Sequence, residues 1–424
     1  MKACRACGRL YQDDAGFCPV EGRALESALD VQVLVDARDA RVGSVMCQRY
    51  QVRRVVANGG MGRVYEGLDL ALQRHVALKV LHSEVAQDEV SVERFKREFA
   101  VSRQLSHQHI VEVLDFQPTP DGSYLLVLEF LQGEELRATL KRETVLSPAR
   151  VVRMLSQAAL ALDQAHAQKL VHRDLKPDNI FLCQTRSGDI VKILDFGSVK
   201  DIKEGSAKLT VLGHTIGSPF YMSPEQVQGL DSLDQRTDVW ALGAVVYECI
   251  TGRVPFSGNT PSAILLEILS HEPPPPSIAA AGRKHPVPAS VDPVMRRAFM
   301  KTASERILSA GGLADQVGAG YGLSGNHLEW AVAPEQELEQ RIEGELPRLS
   351  RLEPRPSDAV CDHSLPGAAL NSENPMAVSQ PAPSTGSDTT EGLPTTGSAW
   401  LPALVVGGMA LVIGVLIVIA VMAP

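Results

Sequence analysis

The stretch His172-Arg173-Asp174-Leu175-Lys176-Pro177-Asp178-Asn179 gathers a carboxylate, an ammonium and a side-chain amide into one short segment. Phosphoryl transfer can use that set: a base for a hydroxyl proton, a cation beside the moving phosphate, and an oxygen ligand for magnesium. A polar surface loop of the same composition is the competing reading. Partners elsewhere in the chain decide between the two.

Such partners occur on both sides. Upstream lie Gly59-Gly60-Met61-Gly62-Arg63-Val64-Tyr65 and Val76-Ala77-Leu78-Lys79; downstream lie Asp195-Phe196-Gly197 and Ser223-Pro224-Glu225. Glycines in the first motif let backbone N–H groups approach phosphates with no side chain between. In this order the motifs resemble the eukaryotic-like serine/threonine protein kinases, and Gly-Gly-Met-Gly followed by Val-Tyr is most similar to their bacterial branch. The resemblance covers residues 47–317. It implies an α+β, bilobal fold with a small β-rich N-lobe and a larger helical C-lobe. The activity it implies is transfer of the γ-phosphate of ATP, with Mg2+, to serine or threonine hydroxyls of protein substrates.

The resemblance also implies roles, residue by residue. Asp174 orients and deprotonates the acceptor hydroxyl, Lys176 stabilises the γ-phosphate, and Asn179 and Asp195 bind magnesium. Lys79 contacts the α- and β-phosphates and pairs with a helical glutamate, best matched by Glu98, with Glu93 and Glu84 as competitors. Ala57, Asn58, Gly59, Gly60, Gly62, Val64 and Ala77 surround the nucleotide. Glu129 and Leu131 belong to the hinge that meets adenine, behind Leu128 at the gatekeeper position, and Glu135 reaches the ribose. Ala57 departs from the pattern, which has glycine there; altered nucleotide affinity or loop mobility is expected rather than lost binding. Thr210 and Thr215 are the candidate phosphorylation sites of an activation segment, with Arg173 as the receiving cation. Gly217-Ser218-Pro219 matches the substrate-docking turn, Glu225 should pair with Arg306, and Asp238 should hold the catalytic-loop backbone.

Elements must carry these groups. Alternating apolar residues predict strands over Val52–Ala57, Arg63–Gly67 and Val76–Val80, and helical spacing predicts a helix over Val92–Leu105. A buried strand covers Leu125–Leu131. Ser147-Pro148 reads as a cap and first-turn pair opening two helices that reach Lys169, with His166 as a packed core histidine. Ile190–Leu194 is a hydrophobic strand delivering Asp195, and Pro261–Leu269 and Val291–Met300 complete the helical lobe.

The 424 residues exceed one compact domain of common size. Net charge of −9 argues against nucleic acid as a partner, because a phosphate backbone requires a basic face. Three of the seven cysteines crowd the first eighteen residues and the others are scattered, poor grounds for a disulfide framework, so a reducing compartment is expected. Cys4, Cys7, Cys18 and Glu21 resemble a zinc ribbon with a carboxylate in place of the fourth cysteine; an unliganded arm is the alternative. No apolar run of secretory type opens the chain, so a cytosolic start is expected.

A strand is expected at Val31–Val35 and an acidic helix over Leu328–Leu346, while residues from Pro347 to Ser398 are rich in Pro, Ser, Thr and Gly and read as disordered. Leu401–Ala423 is uncharged and apolar, and at about 1.5 Å per residue it is long enough to cross a bilayer core of ~30 Å. The expected order is therefore a knuckle at 1–26, a linker at 27–46, the kinase-like domain at 47–317, a juxtamembrane linker at 318–399 and a transmembrane tail anchor at 400–424. That places the chain at the cytoplasmic membrane as a single-pass protein, its catalytic domain in the cytosol, with homodimers as a possibility. The alternative is a pseudokinase scaffold that binds nucleotide and recruits partners; Ala57 is the feature favouring it.

Overall fold

The computed structural model describes residues 39–59, 62–196, 219–230 and 232–352, together with 2–3, 10–11, 16, 24–27 and 200–201. Gly60, Thr210, Thr215, the zinc candidates, the expected strand at Val31–Val35 and the apolar stretch at 401–423 lie outside these residues. Among the described residues no helix is long and apolar enough to cross a membrane, and no cluster of metal-ligating side chains occurs.

A six-stranded antiparallel sheet forms the smaller lobe. Its strands are Val45–Met46, β1 (Tyr50–Asn58), β2 (Gly62–Asp69), β3 (Arg74–Leu81), β5 (Tyr124–Glu129) and β4 (Val113–Pro118), in that spatial order. Alternation sets the register: Val52, Val55 and Tyr65 bury on one face with Leu78 and Val127, while Val64, Ala77 and Leu126 bury on the other. At Gly62 an added Cβ would stand 2.2 Å from the Val80 carbonyl oxygen, so the hairpin from β1 to β2 closes against β3 only without a side chain there. Helix α1 (Glu89–Gln104) packs on the second face through Val92 and Phe95, its first turn capped by the Asp88 carboxylate, which accepts from the Ser91 amide at 3.0 Å.

The chain then crosses through β6 (Gly133–Glu135) and α2 (Leu136–Glu143) into the helical lobe. The expected pair of helices between Ser147 and Lys169 is one helix, α3 (Pro148–Ala167). Ser147 caps it and Pro148 opens it, and no Gly or Pro follows before Lys169 to break it. α3 is the axis of the lobe, with thirteen buried residues. β7 (Ile180–Cys183) and β8 (Ile190–Ile193) form a hairpin over it, and α4 (Gln235–Thr251) supplies the deepest part of the core, where Trp240 stacks on Phe256 at 5.4 Å. α5 (Pro261–Ser270) follows, close to its expected bounds.

Glu225 and Arg306 meet as expected. Both Arg306 guanidinium ends donate to Glu225 at 2.6 Å, and the arginine side chain is fully buried. Arg306 also donates to the carbonyls of Met300, Lys301 and Arg236. Arg306→Ala should therefore cost about 3–5 kcal/mol, because the Glu225 charge stays buried without its partner; denaturant unfolding of the purified chain measures it.

The folded region continues past the expected boundary at 317, which is a correction to the linker assignment. After α6 (Ala310–Gly320) come α7 (His327–Val332) and α8 (Glu335–Leu352), and all three pack on α3. Trp330 is wholly buried against Gly318, where a Cβ would come within 2.1 Å of its ring. Leu338 and Ile342 bury one face of α8, which runs through Pro347, where composition alone predicts irregular chain to begin. Arg153 and Gln157 of α3 lock the joint by donating to the carbonyls of Ala333 and Ala331 at 2.8 and 3.1 Å.

Near the N-terminus, Lys2–Ala3 pairs antiparallel with Leu10–Tyr11 and with Glu26–Ser27. These short strands bracket Cys4, Cys7, Cys18 and Glu21 in the sequence.

Candidate active site

The eight-residue stretch that opens the chemistry is held by a buried aspartate. Asp238, in the first turn of α4, accepts from the backbone amides of His172 and Arg173 at 2.8 Å each. Arg173 adopts φ of +67°, a left-handed geometry that costs a non-glycine residue on the order of 1–3 kcal/mol. The Asp238 bonds and a 2.7 Å bond from the Gln226 amide to the Arg173 carbonyl hold it there. His172 is buried, donating from Nε2 to the Leu194 carbonyl at 2.9 Å and packing edge-on against Phe196 with centroids 4.7 Å apart. The imidazole thereby ties the stretch to the segment carrying Asp195.

His166 is the packed histidine of the expectation, and it has a partner: its Nε2 lies 2.8 Å from the Asp238 carboxylate. Burial alone would lower its pKa, but Asp163 and Asp238 outweigh burial and raise it to about 9. The folded value thus lies above the unfolded value of about 6.5. The resulting stabilisation, about 3 kcal/mol, is fully present below about pH 6.5 and is lost as pH rises through about 9. The difference in melting temperature between wild type and His166→Gln should accordingly be large at about pH 6 and shrink by about pH 10. Thermal melts across that range check it, and a difference that is flat with pH would show His166 to be neutral throughout.

Above this scaffold, Asp174, Lys176 and Asn179 converge. The Lys176 ammonium donates to Asp174 Oδ2 at 2.9 Å; the Asn179 amide donates to the Asp174 carbonyl at 2.7 Å and to Oδ2 at 3.2 Å. Asp174 is the most exposed of the three, with 29% of its side chain open. With its nitrogen committed to Asp174, Asn179 has its carbonyl oxygen to offer a cation.

A second cluster comes from the smaller lobe. Lys79 on β3 reaches Glu98 on α1 at 2.9 Å and Asp195 at 3.4 Å, with both lysine and glutamate buried. Of the three competing glutamates, Glu98 is the one that meets Lys79; Glu93 pairs with Lys96 at the surface, and Glu84 flanks a short 3-10 turn. Burial pulls the Lys79 pKa down, but Asp195 and Glu98 outweigh it and hold the value up, so the ammonium persists. Asp195 itself sits at φ of +63° immediately after Leu194, whose amide donates to the Asn179 carbonyl at 2.9 Å. That bond brings the two oxygen-bearing side chains onto neighbouring segments.

Between the clusters lies an apolar group. Ala57, Val64, Ala77, Leu128 and Leu131 pack in one cluster with Phe181 and Leu194 from the larger lobe. Phe181 and Leu194 are residues that sequence reasoning misses; the available signal is Phe181's position two residues after Asn179 on a short, wholly apolar strand. Asn58 and Gly59 lie at the end of β1, with the Gly59 amide donating to the Gly62 carbonyl at 2.9 Å. Glu129 accepts from Lys192 at 2.5 Å and from the Glu112 amide at 2.8 Å, tying the crossover to β8.

Glu135 ends β6 and directly precedes α2, with its side chain buried.

Comparison with known proteins agrees with this arrangement. Residues 50–307 match the protein kinase domain family. The serine/threonine-protein kinase pkn3 of Myxococcus xanthus is 38% identical over 270 residues, covering 63% of this chain and 48% of the relative. Serine/threonine-protein kinase Pkn1 of the same organism is 38% identical over 318 residues, covering 72% of this chain and 43% of the relative. The match thus spans less than half the length of these curated relatives. Among solved structures, a single-substitution mutant of the Mycobacterium tuberculosis PknI kinase domain superposes with a TM-score of 0.51 at 26% identity, over 66% of this chain and 99% of that one. The chain belongs to the protein kinase family.

Proposed function

We propose that the chain is a serine/threonine protein kinase transferring the γ-phosphate of Mg-ATP to protein hydroxyls. The observation that carries this reading is the facing of two complete sets: Asp174, Lys176 and Asn179 on one side, Lys79, Glu98 and Asp195 on the other. The Asn179 carbonyl and Asp195 carboxylate are hard oxygen donors of the kind magnesium takes. When bound, Mg2+ would neutralise phosphate charge. Lys79 would hold the nucleotide phosphates, Lys176 would meet charge on the transferring group, and Asp174 would take the hydroxyl proton. Phosphorylation at Thr210 or Thr215, received by Arg173, is the regulatory part of the proposal.

The test is incubation of the full chain with Mg-ATP labelled at the γ-phosphate, followed by phosphoamino-acid analysis and site mapping. Phosphoserine or phosphothreonine, with Thr210 or Thr215 among the sites, is expected. Nucleotide binding without incorporation would move the reading to a scaffold. Ala57, the feature behind that alternative, lies in register opposite Val64 with its methyl in the apolar cluster, a position compatible with bound nucleotide.

Two further parts of the proposal concern the termini. The composition of Leu401–Ala423 supports a membrane anchor, tested by whether the chain stays in the membrane pellet after an alkaline wash. The strands bracketing Cys4, Cys7, Cys18 and Glu21 support a bound zinc ion, tested by elemental analysis of the purified chain.

A further inference from the structure

Asp39 lies outside the 50–307 family match, in a segment where sequence offers no chemistry. Its carboxylate is nevertheless only 5% exposed. It accepts from the Arg63 guanidinium, from the Tyr65 hydroxyl at 2.9 Å and from the Arg41 amide at 2.9 Å. Burial opposes ionisation, but these donors outweigh it and hold the acid below the usual carboxylate range. Asp39 is therefore a buried anion fixed at neutral pH.

Where its partner stands makes this informative. Arg63 follows Gly62 directly and is the register partner of Asn58 across the glycine-rich hairpin. While Nη1 serves Asp39, Nε donates to the Asn58 side-chain carbonyl at 3.2 Å. One guanidinium thus links the preceding segment to both strands of the hairpin at the point where they approach the nucleotide. On the other strand end, the Gly59 carbonyl is bonded by His82 Nε2 at 2.9 Å. A position that carries Ala57 in place of glycine in the family pattern is in this way followed by strand ends held by groups outside the hairpin.

We infer that Asp39 is a positioning residue for nucleotide binding: through Arg63 it fixes the ends of β1 and β2 at the height at which their backbone meets the ATP phosphates. The inference rests on the proposed kinase reading, in which this hairpin covers the nucleotide. A charge-assisted, largely buried bond is at stake, and its loss should loosen ground-state binding more than the chemical step.

The experiment measures KM for ATP and kcat separately on the full chain, with Mg-ATP and dephosphorylated casein as acceptor, and follows each melting temperature. Asp39→Ala should raise KM for ATP about 5–20-fold with kcat changed less than about 2-fold, and Asp39→Glu should recover part of the loss. Asp121→Ala is the comparison variant, because it cuts another anchor of the segment, the 2.7 Å pair with Arg41, without touching Arg63. It should leave KM near wild type. Equal effects of Asp39→Ala and Asp121→Ala, or an Asp39→Ala effect on kcat alone, would overturn the inference by making the segment a general brace. If Asp39→Ala does not fold, Asp39→Asn keeps the shape and removes the charge, and an unchanged KM in it overturns the inference equally. Absence of ATP binding by the wild-type chain would instead sink the kinase reading, so the two failures are distinguishable.

Discussion

Asp174→Asn should lower phosphate transfer by about 10²–10⁴-fold while leaving Mg-ATP binding and the melting temperature near wild type. The carboxylate accepts from Lys176 and Asn179 but takes no part in holding the loop backbone, a task done by Asp238 from beneath. Asparagine keeps the shape and one acceptor oxygen and loses the basic oxygen that can take a hydroxyl proton. The loss should therefore fall on kcat. A variant retaining more than about a tenth of wild-type turnover would remove Asp174 from the role of base. An equally large fall in melting temperature would make the residue architectural.

That separation of chemistry from architecture also explains what is readable in the sequence. The catalytic stretch, Lys79 and the Asp195 motif are short, and each fixes its residues by local geometry: a glycine hairpin, the end of a strand, a loop of set length. Glu98 is readable only as one of three candidates, because helical periodicity states which face is buried but not which glutamate lies opposite a lysine on another strand.

Boundaries are harder. The helix expected over Leu328–Leu346 is two in the structure, α7 and α8 on either side of Pro334, and the three glycines between Gly320 and Gly325 read as a break that hides their place in the folded lobe. Yet Leu338, Ile342 and Leu346 recur every fourth residue, and that spacing is what seats α8 on the lobe. Asp39 is invisible because its two side-chain donors, Arg63 and Tyr65, lie more than twenty residues away on a strand that folds back to it.

The second large effect is expected at Lys79, where function and stability share one charge. Lys79→Met keeps the aliphatic stem against Phe95, whose ring centroid is 5.5 Å from the ammonium, and removes the cation between Glu98 and Asp195. Phosphate transfer should fall at least about 10²-fold, since a cation is lost from the phosphate-binding set. Stability should fall as well, by about 3–5 kcal/mol, because burial and Asp195 already push the Glu98 carboxyl up to about 7 and, without the Lys79 cation that opposes them, it stays buried only by taking up a proton. Glu98→Gln added to Lys79→Met tells the two apart. An amide, which needs no proton to stay buried, should recover much of the stability, as breaking a buried pair costs more than replacing it. It should recover none of the transfer, because the ammonium is still missing. Recovery of activity along with stability in the double variant would mean that Lys79 serves the fold alone and that the phosphates are held by other groups.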